Sequence, residues 1–405
     1  SRHVQYDAVS YNGMLAANEA CYGKRAIPSY HFDKAKTIVS LSADFLATWL
    51  SPVEFSRQYA ETKRIKGEKP EISRHFHFES MLSITGSNAD DRYTHKPSET
   101  GAVALALLAK LGGSVSAPAI NDAALAKGIE KAAAALSASK GQALVVCGSN
   151  DANVQVIVNA INEAIGANGT TVNWGVTSNY RKGNDADLVK LVDEMNAGAI
   201  GAVMVYGCNP AYSYADSKKF ADGISKVALS VSFNSTMDET TELCKYVIPA
   251  PHWLESWGDA EPKSGYYSLI QPLINPLFKT RPFQSSLLKW MGADATKVTV
   301  ASTDSTQKAT PAPVVSSHAG DEYETYLKNY WAAKLGGTDT WEKALQDGVI
   351  EPATPVVAAG TFNAGKLAEA SSKIASVKGG ATELFIYEKV SVGNGARSEE
   401  HTSEL

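Results

Sequence analysis

Residues 143–166, ALVVCGSNDANVQVIVNAINEAIG, set the fold class. Ala143–Cys147 is short and wholly apolar, as a strand covered on both faces must be. Gly148, Ser149 and Asn150 break the run, and Asp151 offers a helix N-cap. Val154, Ile157, Val158, Ile161 and Ile165 then recur at helical spacing until Gly166 ends the pattern. The unit is strand, loop, helix. It recurs downstream: a helix announced by Asp185 carries the stripe Leu188, Leu191, Val192, Met195, and the strand 199–206 ends in Gly207, Cys208, Asn209 and Pro210. Residues 227–233 closed by Asn234, and 246–248 closed by Pro249, supply further strands, and Thr37–Leu41 upstream is another buried run. Strands separated by helical patterns predict an α/β fold of doubly wound, mostly parallel sheets with right-handed crossovers.

Composition divides the rest. Ala/Leu-rich helical stretches at 98–112 and 121–137, separated by a Gly/Ser/Pro loop, place a boundary near residue 140. The expected organisation is an α/β segment at 1–140, a Rossmann-like domain at 141–295, a Ser/Thr/Pro-rich linker at 296–320 and a return segment at 321–396. In that return, Tyr323, Tyr326, Leu327, Tyr330 and Trp331 share one helix face, 341–345 makes a further helical turn, and 383–390 alternates like a strand. Residues 397–405 (RSEEHTSEL) break with what precedes them and read as an in-frame translation of a sequencing-library adapter, an artefact without chemistry.

The 405 residues are 44% hydrophobic, enough to bury a large core and to exclude disorder as the main state. With 38 Lys and Arg against 43 Asp and Glu the net charge is -5, and no basic run suggests nucleic acid as a partner. No apolar stretch is long enough to span a bilayer directly. Cys21, Cys147, Cys208 and Cys244 lie far apart without a C-x-x-C pair, which excludes a cysteine-held zinc or iron–sulfur centre within these residues.

Open α/β sheets bind ligands beyond the carboxyl ends of their strands. Gly148, Ser149 and Asn150, then Gly207 and Asn209, then Asp238, Glu239 and Thr240 within NSTMDET (234–240), and His252 and Glu255 should therefore line one rim. Gly admits close backbone approach, Asn both donates and accepts, and a carboxylate can take a guanine edge or ribose hydroxyls. The plainer reading is that Gly and Asn serve tight turns. No G-x-G-x-x-G, Walker loop or G-x-S-x-G elbow is present, and His252 with Glu255 lacks the further ligands a metal needs. Arg74–Glu79 (RHFHFE) alternates, setting His75 and His77 against two Phe: either a proton relay or a polar strand face backed by aromatics. No catalytic residue and no metal ligand is assigned.

The stretches MDETTELCKYVIP (237–249), HWLESWGD (252–259) and QPLINPL (271–277), with the loop GCNPAYS (207–213), resemble the molybdopterin oxidoreductase superfamily. More narrowly, HFDKAK (31–36), SLSADFL (40–46), FESMLSITGSNAD (78–90) and YYS (266–268) are similar to the large iron–sulfur subunit of bacterial alternative complex III, a likeness spread over about residues 3 to 396. The resemblance implies part of a quinol:electron-acceptor oxidoreductase on the periplasmic face of the inner membrane. Its implied partners are cytochrome c and integral membrane subunits. The family's cluster-binding cysteines would fall beyond residue 396, and a twin-arginine-type signal before residue 1, so the fragment itself would hold no cofactor. Active relatives continue the Glu-x-x-Gly stretch with Thr, Asn and Gly-Arg contacts to pterin phosphates. Here DAEPKSGYY (259–267) stands instead, and added carboxylates repel a phosphate linker. The resemblance thus implies a fold kept as a non-catalytic scaffold after loss of the molybdenum cofactor. Alternatives are an active enzyme holding molybdopterin guanine dinucleotide on the rim residues above, and a binding protein for another nucleotide.

Overall fold

The computed structural model describes residues 1–65, 71–297, 322–351, 355–390 and 393. Most of the expected linker and all of 397–405 lie outside them. The chain forms two compact units, one of residues 9–185 and 353–405, the other of residues 1–8 and 186–352. The segment 141–295, expected from its pattern to be one domain, is divided between them.

The larger unit begins with helix α1 (Asn12–Tyr22) and strands β1 (Ile27–Tyr30) and β2 (Thr37–Leu41). Helix α2 (Pro52–Lys63), β3 (Arg74–Glu79), the single turn α3 (Ile84–Ser87) and β4 (Asp91–Thr94) follow. Then come α4 (Thr100–Lys110), α5 (Ala123–Ala138), β5 (Ala143–Cys147), α6 (Ala152–Ala164) and β6 (Val172–Ser178). Strands β4-β3-β2-β5 form a parallel sheet in that order, with Thr37–Leu41 central and wholly buried, as its unbroken apolar run requires. β1 and β6 pair antiparallel.

The decisive stretch folds as its pattern dictates. The Asp151 carboxylate accepts from the Asn153 amide, and Val154, Ile157, Val158 and Ile161 are buried, while Gly166 turns the chain at φ 69°. Because β5 lies at the sheet edge, its backbone needs partners other than a strand. Asn162 supplies them: its Oδ1 accepts from the Val145 amide at 3.1 Å and its Nδ2 donates to the Val145 carbonyl at 2.9 Å.

Residues 383–390 form no strand and are mostly exposed, correcting the expectation drawn from their alternation. Side chains hold the segment instead: Glu383 accepts from the Ser98 amide and hydroxyl, and Glu388 from the Arg181 guanidinium. Before it, helix Gly365–Ala375 buries Ala370 and Ile374 in the unit's core.

The smaller unit has two parts. In the first, α7 (Asp185–Asn196) leads to β7 (Ala202–Val205), the turn α8 (Pro210–Ser213), α9 (Ser217–Ser225), β8 (Leu229–Ser232), α10 (Glu239–Leu243) and β9 (Tyr246–Val247). β7-β8-β9 is a parallel sheet, and the stripe Leu188, Val192, Met195 packs with Val205, Phe220, Ile224 and Val227. In the second part, β10 (Gly258–Lys263), β11 (Tyr266–Ile270) and β12 (Val349–Ile350) pair antiparallel, a hairpin that no alternation in the sequence announced. Helices α11 (Phe283–Met291), α12 (Glu322–Leu335) and α13 (Thr338–Asp347) pack with them around Trp331, Leu327 and Trp341. Among the described residues no helix is long and apolar enough to cross a membrane.

Candidate functional site

The expected rim residues follow two sheets: Gly148, Ser149 and Asn150 come after β5 in the larger unit, and Gly207, Asn209, Asp238, Glu239 and Thr240 come after β7 and β8 in the smaller. In the smaller unit, the loops after β7 and β8 meet around Asn234. Its Oδ1 accepts from the Gly207 amide at 2.8 Å, and its Nδ2 donates to the Cys208 carbonyl and to Asp238 Oδ2, both at 2.9 Å. Asp238 also caps α10, accepting from the Thr241 amide at 2.8 Å. Asn209 Oδ1 accepts from the Thr240 amide at 3.1 Å and hydroxyl at 2.8 Å, while its Nδ2 donates to Glu239 Oε2 at 2.6 Å. Thr240 Oγ1 in turn accepts from the Ala211 amide at 2.9 Å.

The structure therefore brings together Gly207, Asn209, Asp238, Glu239 and Thr240, with Asn234 as the pivot whose role sequence reasoning missed. An Asn at the end of a buried strand was the available signal. The Asn209 amide bond holds the exposed Glu239 carboxyl below its usual range. Burial, aided by Asp238, pushes the Cys208 and Cys244 thiols up to about 11, so both stay protonated at neutral pH. With Asp238 and Glu239 present and no ion pair made to this cluster among the described residues, the site suits hydroxyl or amide donors and repels phosphate.

In the larger unit, Gly148, Ser149 and Asn150 follow β5 and are taken up by packing. A Cβ on Gly148 would run into the Ser42 carbonyl, and one on Gly13 into the Asn150 carbonyl. Asn150 Oδ1 accepts from the Gly13 amide at 2.7 Å, and the Ser149 carbonyl accepts from Gln155 Nε2 at 2.6 Å. Helix α1 thus lies against the turn where a phosphate cradle would have to open. His252 and Glu255 form a capping box around a short 3-10 turn, with the Glu255 carboxylate accepting from the His252 amide at 3.2 Å. Among the described residues no group of three or more His, Cys, Asp or Glu could hold a metal.

The alternating stretch Arg74–Glu79 becomes a buried charged cluster on β3. His75, His77 and Glu79 point to one face and are all buried, with His77 Nε2 2.9 Å from Glu79 Oε2. Arg92 Nε on β4 donates to Glu79 Oε1 at 2.5 Å, and the Ser83 amide donates to Oε2 at 3.1 Å. Burial alone would raise the Glu79 carboxyl, but the bonds from His77, Ser83 and Arg92 outweigh it and bring it down to about 2. His75 is held well below the usual imidazole range by burial and by His77 and Lys63. The i, i+2, i+4 spacing of His75, His77 and Glu79 was legible; the parallel partner Arg92 was not.

The fit of these residues to a molybdopterin guanine dinucleotide is poor. After β7 and β8 a pyrophosphate would meet the Asp238 and Glu239 carboxylates, after β5 a packed turn, and the polar side-chain atoms of Asn209, Asn234 and Thr240 are already bonded within their own loops.

No family model matches the chain. It is 26% identical over 321 residues to the menaquinone reductase molybdopterin-binding-like subunit of Nitratidesulfovibrio vulgaris (strain Hildenborough), a match covering 69% of this chain. It spans about half of that relative's length, 46%. In fold it is similar to acetylene hydratase from Pelobacter acetylenicus, with a TM-score of 0.56 at 11% identity, over 85% of this chain and 56% of that one. The parallel sheets and both likenesses agree: the chain is similar in sequence to a molybdopterin-binding-like subunit and in fold to acetylene hydratase.

Proposed function

We propose that this chain is a non-catalytic scaffold in a respiratory quinol:electron-acceptor oxidoreductase of the alternative complex III type. Electrons would pass through iron–sulfur clusters held outside residues 1–405, and the partners would be cytochrome c and integral membrane subunits at the periplasmic face. The curated relative, a subunit named for menaquinone reductase, supports a respiratory oxidoreductase-like role. One observation carries the scaffold reading: Asn209 and Glu239, which a bound dinucleotide would need free, are bonded to each other at 2.6 Å. In this role the domain contributes shape, and its charged loops specify the fold rather than a reaction.

The test is elemental analysis with fluorescence detection of oxidised pterin, made on the intact parent protein in its complex. Iron without molybdenum, tungsten or pterin is expected. Stoichiometric pterin with molybdenum or tungsten would overturn the proposal and make Gly148, Ser149, Asn150, Gly207, Asn209, Asp238, Glu239 and Thr240 a working cofactor site.

A further inference from the structure

Residues 271–281 (QPLINPLFKTR) connect β11 to α11 without helix or strand. Their backbone is nevertheless held. The Leu273 and Ile274 amides donate to the Leu254 carbonyl at 2.8 and 3.1 Å, and the Arg281 amide to the Pro249 carbonyl at 3.3 Å. The Leu277 amide donates to Glu255 Oε1, also at 3.3 Å, so the capping box that fixes Trp253 fixes this loop too. The apolar side chains do not turn inward: Leu273 is 76% exposed, Leu277 73%, Phe278 78% and the adjoining Trp253 61%. A free loop would collapse to cover such groups. Here a pinned backbone presents four large apolar side chains to solvent, and exposed apolar groups held in this way mark an interaction surface.

The charges choose the partner. Lys279 and Arg281 are exposed and make no ion pair among the described residues, and no Asp or Glu occurs in 271–281. The chain as a whole carries -5, so attraction to an anionic surface has to be local. Apolar and aromatic side chains followed at once by two cations match the layering of a bilayer interface, acyl chains beneath and phosphates above.

We propose that this loop docks on an anionic lipid surface. Leu273, Leu277, Phe278 and Trp253 enter the acyl boundary, and Lys279 and Arg281 lie among the phosphates. Nothing in this contact depends on the chain's redox partners, so it can fail or hold independently of the scaffold role.

The full-length protein, purified free of other subunits, would be sedimented with phosphatidylcholine vesicles and with vesicles also containing phosphatidylglycerol. Binding to the anionic vesicles is expected, falling at high salt. A Lys279→Gln/Arg281→Gln variant should bind about 25-fold more weakly, about fivefold per cation removed. A Leu277→Ser/Phe278→Ser variant should lose the binding that persists at high salt. All four positions are exposed, and circular dichroism checks that each variant is folded. Absence of wild-type binding, or equal binding by both variants, would overturn the proposal. So would cross-linking of the loop to a protein subunit within the complex, which would make it a protein-docking surface.

Discussion

Asn209 joins three groups at once: its Nδ2 donates to Glu239 at 2.6 Å while its Oδ1 accepts from both the amide and the hydroxyl of Thr240. Thr240 is fully buried, so no water stands ready to replace the lost acceptor. Asn209→Ala should cost about 1–3 kcal/mol, the penalty for unmade buried hydrogen bonds. Urea unfolding of the purified protein measures it. A variant of unchanged stability, assembled and cluster-loaded yet unable to oxidise quinol, would place Asn209 in the chemistry and count against a scaffold.

Glu79 and His75 should make the larger unit acid-sensitive in two stages. His75 has its folded pKa depressed by burial and by His77, so its contribution is present above the unfolded value near 6.5 and is lost as pH falls below it. Glu79, at about 2 when folded against 4.5 for the free group, contributes stability above pH 4.5 that is lost between 4.5 and 2. That second stage is worth on the order of 3 kcal/mol. Urea midpoints from pH 8 to pH 3 give the profile. Glu79→Gln should remove the lower stage and, by leaving Arg92 and His77 facing a neutral amide, destabilise the protein at pH 7 by about 3 kcal/mol. A profile flat from pH 8 to pH 4 in the wild type would contradict the assignment of His75.

How far the sequence could be read depends on the range of the interaction. Ala143–Cys147 and Thr37–Leu41 were legible because burial on both faces leaves only apolar residues, and α6 because a cap, a stripe and a stop fall within 16 residues. The site after β7 was legible as a set of residues but not as a network, because Asn234 acts across 27 residues to reach Gly207. The pairing of sheets is longer in range still. Nothing local distinguishes the strand at β5, which joins β2, from the strand at β7, which joins β8, and so the sequence does not tell that their loops follow different sheets. The alternation at 383–390 misled for the converse reason: a period of two permits a strand but no neighbouring strand pairs with it.

The glycines separate close packing from backbone need. Gly13→Ala and Gly148→Ala would press a Cβ into the carbonyls of Asn150 and Ser42, backbone atoms that cannot swing away. Each should cost at the upper end of the ~1–3 kcal/mol seen for overpacking. Gly207 has open space around it but a φ of 65°, so Gly207→Ala should cost only about 1 kcal/mol, from left-handed backbone strain. Thermal denaturation of the three variants in parallel checks the ranking. A larger loss at Gly207 than at Gly148 would mean that the β7 loop is more tightly enclosed than it stands here.

Arg181 and Glu388 close the larger unit with a two-pronged ion pair, Nη1 to Oε2 at 2.8 Å and Nη2 to Oε1 at 2.6 Å. Both side chains are nearly covered, at 12% and 11% exposed, and the guanidinium also lies 4.7 Å from the centre of the Tyr180 ring. Because 383–390 has no ladder of its own, this pair and the Ser98–Glu383 bonds tie it to the rest of the unit. Glu388→Gln keeps the shape but strips the counter-charge from a nearly covered cation, and should cost about 2 kcal/mol. The loss should be local first: amide exchange across 383–390 should accelerate while β2 and β5, at the centre and edge of the parallel sheet, stay protected. Uniform acceleration would instead mean that the return segment unfolds together with the sheet, and that the ion pair stabilises the whole unit rather than its last strap.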